Sequence, residues 1–228
     1  MAYVFDPAGG VSVDVKGTAD RFPVHRIYCV ARNYAAHARE MGNDPDREPP
    51  FFFTKPADAI VANFGEIPYP PRTANLHHEI ELVVALAGGG ADLSPAAVSG
   101  LIFGYAVGND LTRRDLQAQA KEAGRPWDTA KGFDHSAPLT AIHPIAMTGP
   151  IERGRIWLSV NGEMRQEADL ADMIWPVAAI IAELSTLYEL RPGDLIFTGT
   201  PAGVGPVVRG DLLEGSIAGL ERLVNRVI

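Results

Sequence analysis

Apolar positions along this chain fall into short runs whose period changes several times, and those changes mark out its elements. The longest unbroken run, Leu82-Val83-Val84-Ala85-Leu86-Ala87, follows His77-His78-Glu79-Ile80-Glu81 and stops at Gly88-Gly-Gly90. It predicts a buried strand over residues 79–87. Similar runs predict strands over 25–31 and 101–108, the second delivering the chain to Asn109-Asp110. Thr112 and Asp115 have capping-box spacing for a helix reaching about residue 123, so Asp110 falls at a strand-to-helix junction. Asn33 is the predicted N-cap of a short helix to about Met41, closed by Gly42-Asn43. A polar loop over 44–50 then leads to the aromatic strand Phe51-Phe52-Phe53, which ends at Lys55-Pro56.

The alternating piece at 11–15, framed by Gly9-Gly10 and Pro23, predicts a lead-in hairpin or edge strand. Ser94-Pro95 predicts the start of a short helix. Asn161-Gly162 predicts a hairpin between strands at 155–160 and 164–166. Helical period appears most clearly in Val177, Ile180, Ile181, Leu184, Leu187 and Tyr188 after Pro176. Short strands are expected at 194–197, 211–217 and 220–224, with a glycine-rich loop over 198–205 between the first two.

Composition narrows this picture. Among 228 residues, 23 Gly and 18 Pro argue for many turns and against a helical bundle. The length suits one core, with 1–23 as lead-in strands packed on a main domain over 24–228. A net charge of -8 speaks against a nucleic-acid surface, and an anionic ligand must meet a local positive site. One cysteine, Cys29, allows no internal disulfide. No signal-peptide pattern opens the chain, and no apolar segment approaches a membrane span, so a soluble cytoplasmic protein is expected.

The acidic residues carry the first candidate chemistry. Side chains alternate across a strand, so Glu79 and Glu81 point the same way, and two anions entering an apolar layer need compensation. A wet edge strand would supply it with solvent. Asp110, closing an apolar run, favours a metal instead, and three carboxylates suit magnesium, manganese or calcium. His77 shares the predicted face of Glu79, which leaves open a mixed histidine and carboxylate site for zinc or manganese.

His37 and Glu40, three apart in the predicted helix, are placed to pair, either as a general base with its orienting carboxylate or as a surface ion pair. Arg114 and Gln117 fall at +4 and +7 from Asp110, along one side of the following helix, where they would face the metal or solvent. Arg113 is expected to point elsewhere. Lys131 lies in a turn-rich stretch before Gly132-Phe133-Asp134, where a loop can fix its charge. The glycines of 198–205 and the Thr200 hydroxyl could approach a small anion, or simply form a tight turn. The Gly-Lys-Ser/Thr ending of a phosphate loop is missing there.

Six blocks in order resemble the fumarylacetoacetate hydrolase family: Arg32-Asn-Tyr-Ala-Ala-His-Ala-Arg-Glu40, Pro50-Phe-Phe-Phe-Thr-Lys-Pro56, His78-Glu-Ile-Glu-Leu82, Gly104 to Gln117, Lys131-Gly-Phe-Asp134 and Pro192 to Gly205. The resemblance covers roughly 24–226 and is strongest to short bacterial members acting on acylpyruvates such as fumarylpyruvate. It implies an α+β fold, a mixed β-roll with peripheral helices, and a homodimer. It also implies a magnesium or manganese site at Glu79, Glu81 and Asp110. His37 and Glu40 match the pair that activates water on a closing lid. Lys131 matches a catalytic cation, Arg32, Arg114 and Gln117 match substrate-holding residues, and Thr200 matches a pocket threonine. Ala31 stands where relatives usually carry glycine, which bears on the freedom of the lid hinge.

The activity this implies is hydrolysis of a carbon–carbon bond in a 3-acylpyruvate, a small 2-oxo acid, with fumarylpyruvate giving fumarate and pyruvate as the leading case. Decarboxylation of oxaloacetate and isomerisation of a 2-oxo acid are alternatives on the same metal chemistry. A binding protein that merely retains an enzyme fold is a third, and it would need a catalytic group to be missing.

Overall fold

The strand Ile80–Leu86 is buried at every position and lies at the centre of the largest sheet. Its alternate side chains serve different cores. Ile80, Leu82, Val84 and Leu86 join one cluster with the helix Val177–Leu187, while Val83 and Ala85 join a second with Ile27, Cys29 and Phe197. Each fully buried leucine here contributes roughly 2 kcal/mol of transfer free energy. Gly108, opposite Glu81 in the neighbouring strand, admits the second core's packing: a Cβ there would come within 2.6 Å of both Phe197 and Val83.

A computed structural model describes residues 3–6, 9–40 and 49–228, the side chain of Ala38 excepted. In it the large sheet runs in the order Phe51–Lys55, Ile27–Ala31, Leu195–Phe197, Ile80–Leu86, Ile102–Asn109, Ala137–Leu139, Ile60–Ala62, with His143–Pro144 also paired to Ile102–Asn109. A second sheet runs Glu163–Asp169, Arg155–Val160, Leu212–Ile217, Leu223–Val227, Glu66–Ile67. Parallel and antiparallel pairs occur in both, and short helices lie around them, giving the expected α+β mixed roll. Leu76–His78, Thr112–Arg113 and Gly205–Val207 form a small third sheet.

The lead-in segment forms the hairpin Ser12–Asp14 with Arg21–Pro23, and Val13, Val15 and Phe22 enter the second core. The Asn161-Gly162 turn joins its strands with positive φ at both residues, 53° and 83°, as a two-residue hairpin requires. Its register shifts at Leu158/Ser159, where sequence pattern alone predicts a firm pairing. The final strand, Leu223–Val227, begins later than the expected 220–224. The helices starting at Pro95 and Val177 appear where predicted. Among the described residues no helix is long and apolar enough to cross a membrane.

Two local expectations give way to longer-range contacts. Asn33 does not cap the helix Ala35–Glu40: its amide nitrogen donates to the carbonyls of Trp175 and Thr198 at 3.0 and 2.8 Å, and its oxygen accepts from Trp175 N at 2.7 Å. The predicted end of that helix and the loop over 44–48 lie outside the described residues. Thr112 and Asp115 form no capping box, since the helix Arg114–Glu122 lacks a side-chain cap. The Thr112 hydroxyl donates to Asp110 O at 3.1 Å, and Asp115 accepts from Thr73 Oγ1 at 2.6 Å and Ala74 N at 3.0 Å.

Candidate active site

Glu79 occupies a one-residue break between Leu76–His78 and Ile80–Leu86, not the start of a continuous strand. Its N–H donates to Asn109 Oδ1 at 2.8 Å, and its carbonyl accepts from Asp110 N at 2.8 Å. These bonds lace the ends of two adjacent strands together and bring Asp110 beside Glu79. Glu81 has the parity of Val83 and Ala85, so it points into the second core's side of the sheet. Its Oε2 accepts the Gly199 N–H at 2.8 Å, from a backbone turn at φ 98° that favours glycine. Glu79, Glu81 and Asp110 are all buried, with ligand oxygens within 4.8 Å of one another. A wet edge strand is thereby excluded.

Cations compensate the trio. Lys131, at the end of the short helix Asp128–Lys131, donates to Glu79 Oε2 at 2.7 Å and to Asp110 Oδ2 at 2.6 Å. Arg114 donates to the other Glu79 oxygen and, at 2.6 Å, to Gln117 Oε1. Lys55 Nζ lies 2.8 Å from Asp110 Oδ1 without hydrogen-bond alignment, donating instead to the carbonyls of Leu111, at 3.1 Å, and Lys131. Asp110 Oδ1 therefore has no hydrogen-bond partner among the described residues. Burial alone would raise the Glu79 carboxyl, but Lys131 and Arg114 outweigh it and hold it well below the usual range. Glu81 has no such cation contact. Burial, then the charges of Asp110 and Glu79, push it well above the ordinary value.

A divalent ion fits this donor set. Three close, buried carboxylates offer hard oxygen ligands, one oxygen of Asp110 accepts no hydrogen bond from the described residues, and Glu81 needs a positive neighbour to ionise. His77 does not join them. Its Nδ1 accepts from Arg114 Nε at 3.4 Å, its Nε2 lies 2.9 Å from Asn75 Oδ1, and burial followed by Arg114 pushes it down to about 4. The mixed histidine and carboxylate alternative is not supported, because no histidine belongs to the group found among the described residues.

His37 and Glu40 do meet, with Nδ1 and Oε2 3.2 Å apart on the helix Ala35–Glu40. The Gly203 N–H reaches the same carboxylate at 3.3 Å, tying the helix to the glycine-rich loop. Burial lowers the His37 pKa, opposed by Glu79 and by the hydrogen bond to Glu40. Together with Arg32, Glu79, Glu81, Arg114, Gln117, Lys131 and Thr200, His37 lines one cavity. Arg32 follows the strand Ile27–Ala31 at φ 61°, an uncommon backbone state of the kind that collects at ligand sites. Arg113 turns away, with its guanidinium 4.3 Å from the Phe133 ring centre.

The glycine-rich loop does not form the anion cradle that its composition suggested. The Gly199 N–H is committed to Glu81, while the Thr200 hydroxyl donates to Ile80 O and accepts from Gln166 Nε2, each at 2.8 Å. Gln166 itself was missed. Its Oε1 lies 2.8 Å from His78 Nδ1 and accepts from Ile80 N at 3.1 Å, and its amide also donates to Pro201 O at 2.8 Å. The side chain thus clamps the strand bearing Glu79 and Glu81 to the loop bearing Thr200. For Lys55 the one sequence signal is its place as a cation closing an aromatic strand. Lys121 also lines the cavity, and no local sequence signal separates it from an ordinary helix-surface lysine.

Residues 26–228 match the family described as fumarylacetoacetate (FAA) hydrolase C-terminal. A fumarylpyruvate hydrolase from a Ralstonia species is 46% identical over 186 residues, covering 80% of this chain and 96% of that protein. An oxaloacetate tautomerase of Escherichia coli K12 is 42% identical over 211 residues, covering 91% and 94% respectively. The crystal structure of fumarylpyruvate hydrolase from Pseudomonas aeruginosa in complex with Mn2+ and pyruvate aligns with a TM-score of 0.98 at 51% identity. That alignment covers 100% of this chain and 99% of the other.

Proposed function

The chain belongs to the fumarylacetoacetate hydrolase family, and from that premise we propose that it hydrolyses the carbon–carbon bond of a 3-acylpyruvate, taking fumarylpyruvate and water to fumarate and pyruvate. The observation that carries this reading is His37, paired with Glu40, lining the same cavity as Glu79 and Glu81 of the carboxylate trio. Only a hydrolase needs an activated water beside a 2-oxo acid site.

Glu79, Glu81 and Asp110 would hold a divalent ion, magnesium first and manganese or calcium as substitutes; the Pseudomonas relative was crystallised with Mn2+. When bound, such an ion supplies Lewis-acid polarisation and charge stabilisation for a 2-oxo acid. The protein's groups account for the rest. Neutral His37, with its Nδ1 turned to Glu40, has Nε2 available to take a proton from water attacking the distal carbonyl, C4. Arg114 and Gln117 steady the developing oxyanion as donors. The C3–C4 bond then breaks, its electron pair passing to C3, where the proton held by His37 completes the pyruvate methyl group. Lys131 keeps Glu79 and Asp110 together and adds positive charge beside the reacting oxygens. Arg32 and Thr200 complete the binding wall. Four cations, Arg32, Arg114, Lys121 and Lys131, line the cavity against two glutamates, which suits an acidic substrate.

The same reading makes the enzyme a cytoplasmic homodimer, the single buried Cys29 being in keeping with a reducing compartment. Decarboxylation or isomerisation of a 2-oxo acid such as oxaloacetate is the second reading. It draws on the same carboxylates, and the E. coli relative bears the name oxaloacetate tautomerase. Following fumarylpyruvate absorbance beside oxaloacetate turnover separates the two. We expect faster cleavage of fumarylpyruvate; brisk oxaloacetate turnover without cleavage would replace the first reading with the second.

A further inference from the structure

Of the cations lining the cavity, Lys131 and Arg114 are bound to Glu79, and Lys131 also to Asp110. Lys121 differs. It projects from the helix Arg114–Glu122 at the cavity rim, and among the described residues no carboxylate lies within ion-pair distance of it. Its ammonium rests over the face of Trp127, whose ring centre is 5.0 Å from Nζ. Trp127 lines the cavity too, and Phe51 packs against it nearly edge-on with centroids 4.9 Å apart, fixing the platform on which the ammonium rests.

We propose that Lys121 is a specificity-determining residue that receives a carboxylate at the far end of the acyl group, so that the preferred substrates are acylpyruvates whose acyl chain ends in an acid. The assignment rests on the acylpyruvate reading of the site and adds which acyl group is selected. The 1-carboxylate and 2-oxo oxygens belong at the deep carboxylate trio, where Arg114 and Gln117 stand. A chain extending from there toward the rim presents its far end to Lys121, which has no internal anion to release first. Burial, then the positive charges of Arg114 and Arg32, lower the Lys121 pKa against the opposing charge of Glu79. An acyl group without a terminal acid forgoes this contact and leaves the cation unneutralised.

The test compares fumarylpyruvate with acetylpyruvate in the wild type, Lys121→Gln and Lys121→Arg. For Lys121→Gln we expect kcat/KM on fumarylpyruvate to fall roughly 10-fold or more, mainly through KM, and acetylpyruvate to change less than about 3-fold. Lys121→Arg should restore most of the fumarylpyruvate rate. Equal loss on both substrates, or loss on neither, overturns the assignment while leaving the reaction standing. If the wild type cleaves neither, the reaction itself fails, and calorimetric titration with fumarate still judges Lys121. Weaker fumarate binding in Lys121→Gln, rescued by arginine, supports the acid-end site; unchanged binding overturns it.

Discussion

Lys131 Nζ donates to Asp110 Oδ2 at 2.6 Å, and both side chains are almost wholly buried. The same ammonium holds Glu79, so one lysine supplies much of the charge balance of the trio. Burial lowers the Lys131 pKa, but Asp110 and Glu79 prevail and raise it, so it stays charged at neutral pH. Lys131→Met should destabilise the metal-free protein by about 3 kcal/mol, because it strands two buried carboxylates. Magnesium supplies replacement charge, so the loss in melting temperature should shrink when it saturates the protein. Melting curves with and without magnesium check this, and identical losses would mean that no ion shares the carboxylates.

Glu81→Gln should separate stability from function. The folded carboxyl of Glu81 is raised above its unfolded value, so its contribution to metal-free stability is present at low pH and lost as pH rises through the folded pKa. The neutral variant escapes that loss. It should therefore melt above the wild type in chelator at pH 8, by roughly 1 kcal/mol or more, with the gap closing toward pH 5. Calorimetry should show magnesium affinity falling by about 100-fold or more in the same variant. A variant that binds magnesium like the wild type would remove Glu81 from the metal site.

The His37 and Glu40 pair predicts a pH profile. Burial places the His37 pKa below 6.5, so the acid limb of kcat/KM should lie below that value. Glu40 raises the pKa through its hydrogen bond. Glu40→Gln should accordingly move the limb to still lower pH while slowing the reaction by about 10-fold or more. His37→Ala should lower hydrolysis by about 100-fold or more yet keep oxalate affinity within roughly 3-fold. Parallel loss of both in His37→Ala would assign His37 to structure alone.

Gln166→Leu tests the clamp behind the carboxylates. It strips partners from His78, Ile80 N, Thr200 Oγ1 and Pro201 O in a buried setting. A stability loss of about 3 kcal/mol or more is expected, together with weaker magnesium binding although Gln166 is not itself a ligand. Urea unfolding and calorimetry on one preparation give both values; a stability loss with intact magnesium affinity would limit Gln166 to folding.

Sequence pattern reached the site where its geometry is local. Strand parity placed Glu79 and Glu81 on one face, helical spacing brought His37 to Glu40 and Arg114 to Gln117, and the end of an apolar run presented Asp110. It failed where a side chain's partners are distant in the chain. Asn33 has the composition of a cap, yet its amide serves Trp175 and Thr198, more than 140 positions away. Gln166 sits in a hairpin whose sequence signals only a turn, and its partners His78 and Thr200 become neighbours through sheet packing. Lys131 reads as a loop cation and Lys55 as the end of a strand, because no local rule shows that tertiary folding buries both beside Asp110. The family resemblance supplied a role for Lys131 that spacing could not.

Chelator-stripped protein, assayed on fumarylpyruvate before and after magnesium is restored, tests the central claim most directly. The account predicts negligible cleavage when stripped, recovery with magnesium or manganese, and equal molar release of fumarate and pyruvate. Full activity after chelation, or substrate loss without fumarate, would contradict it.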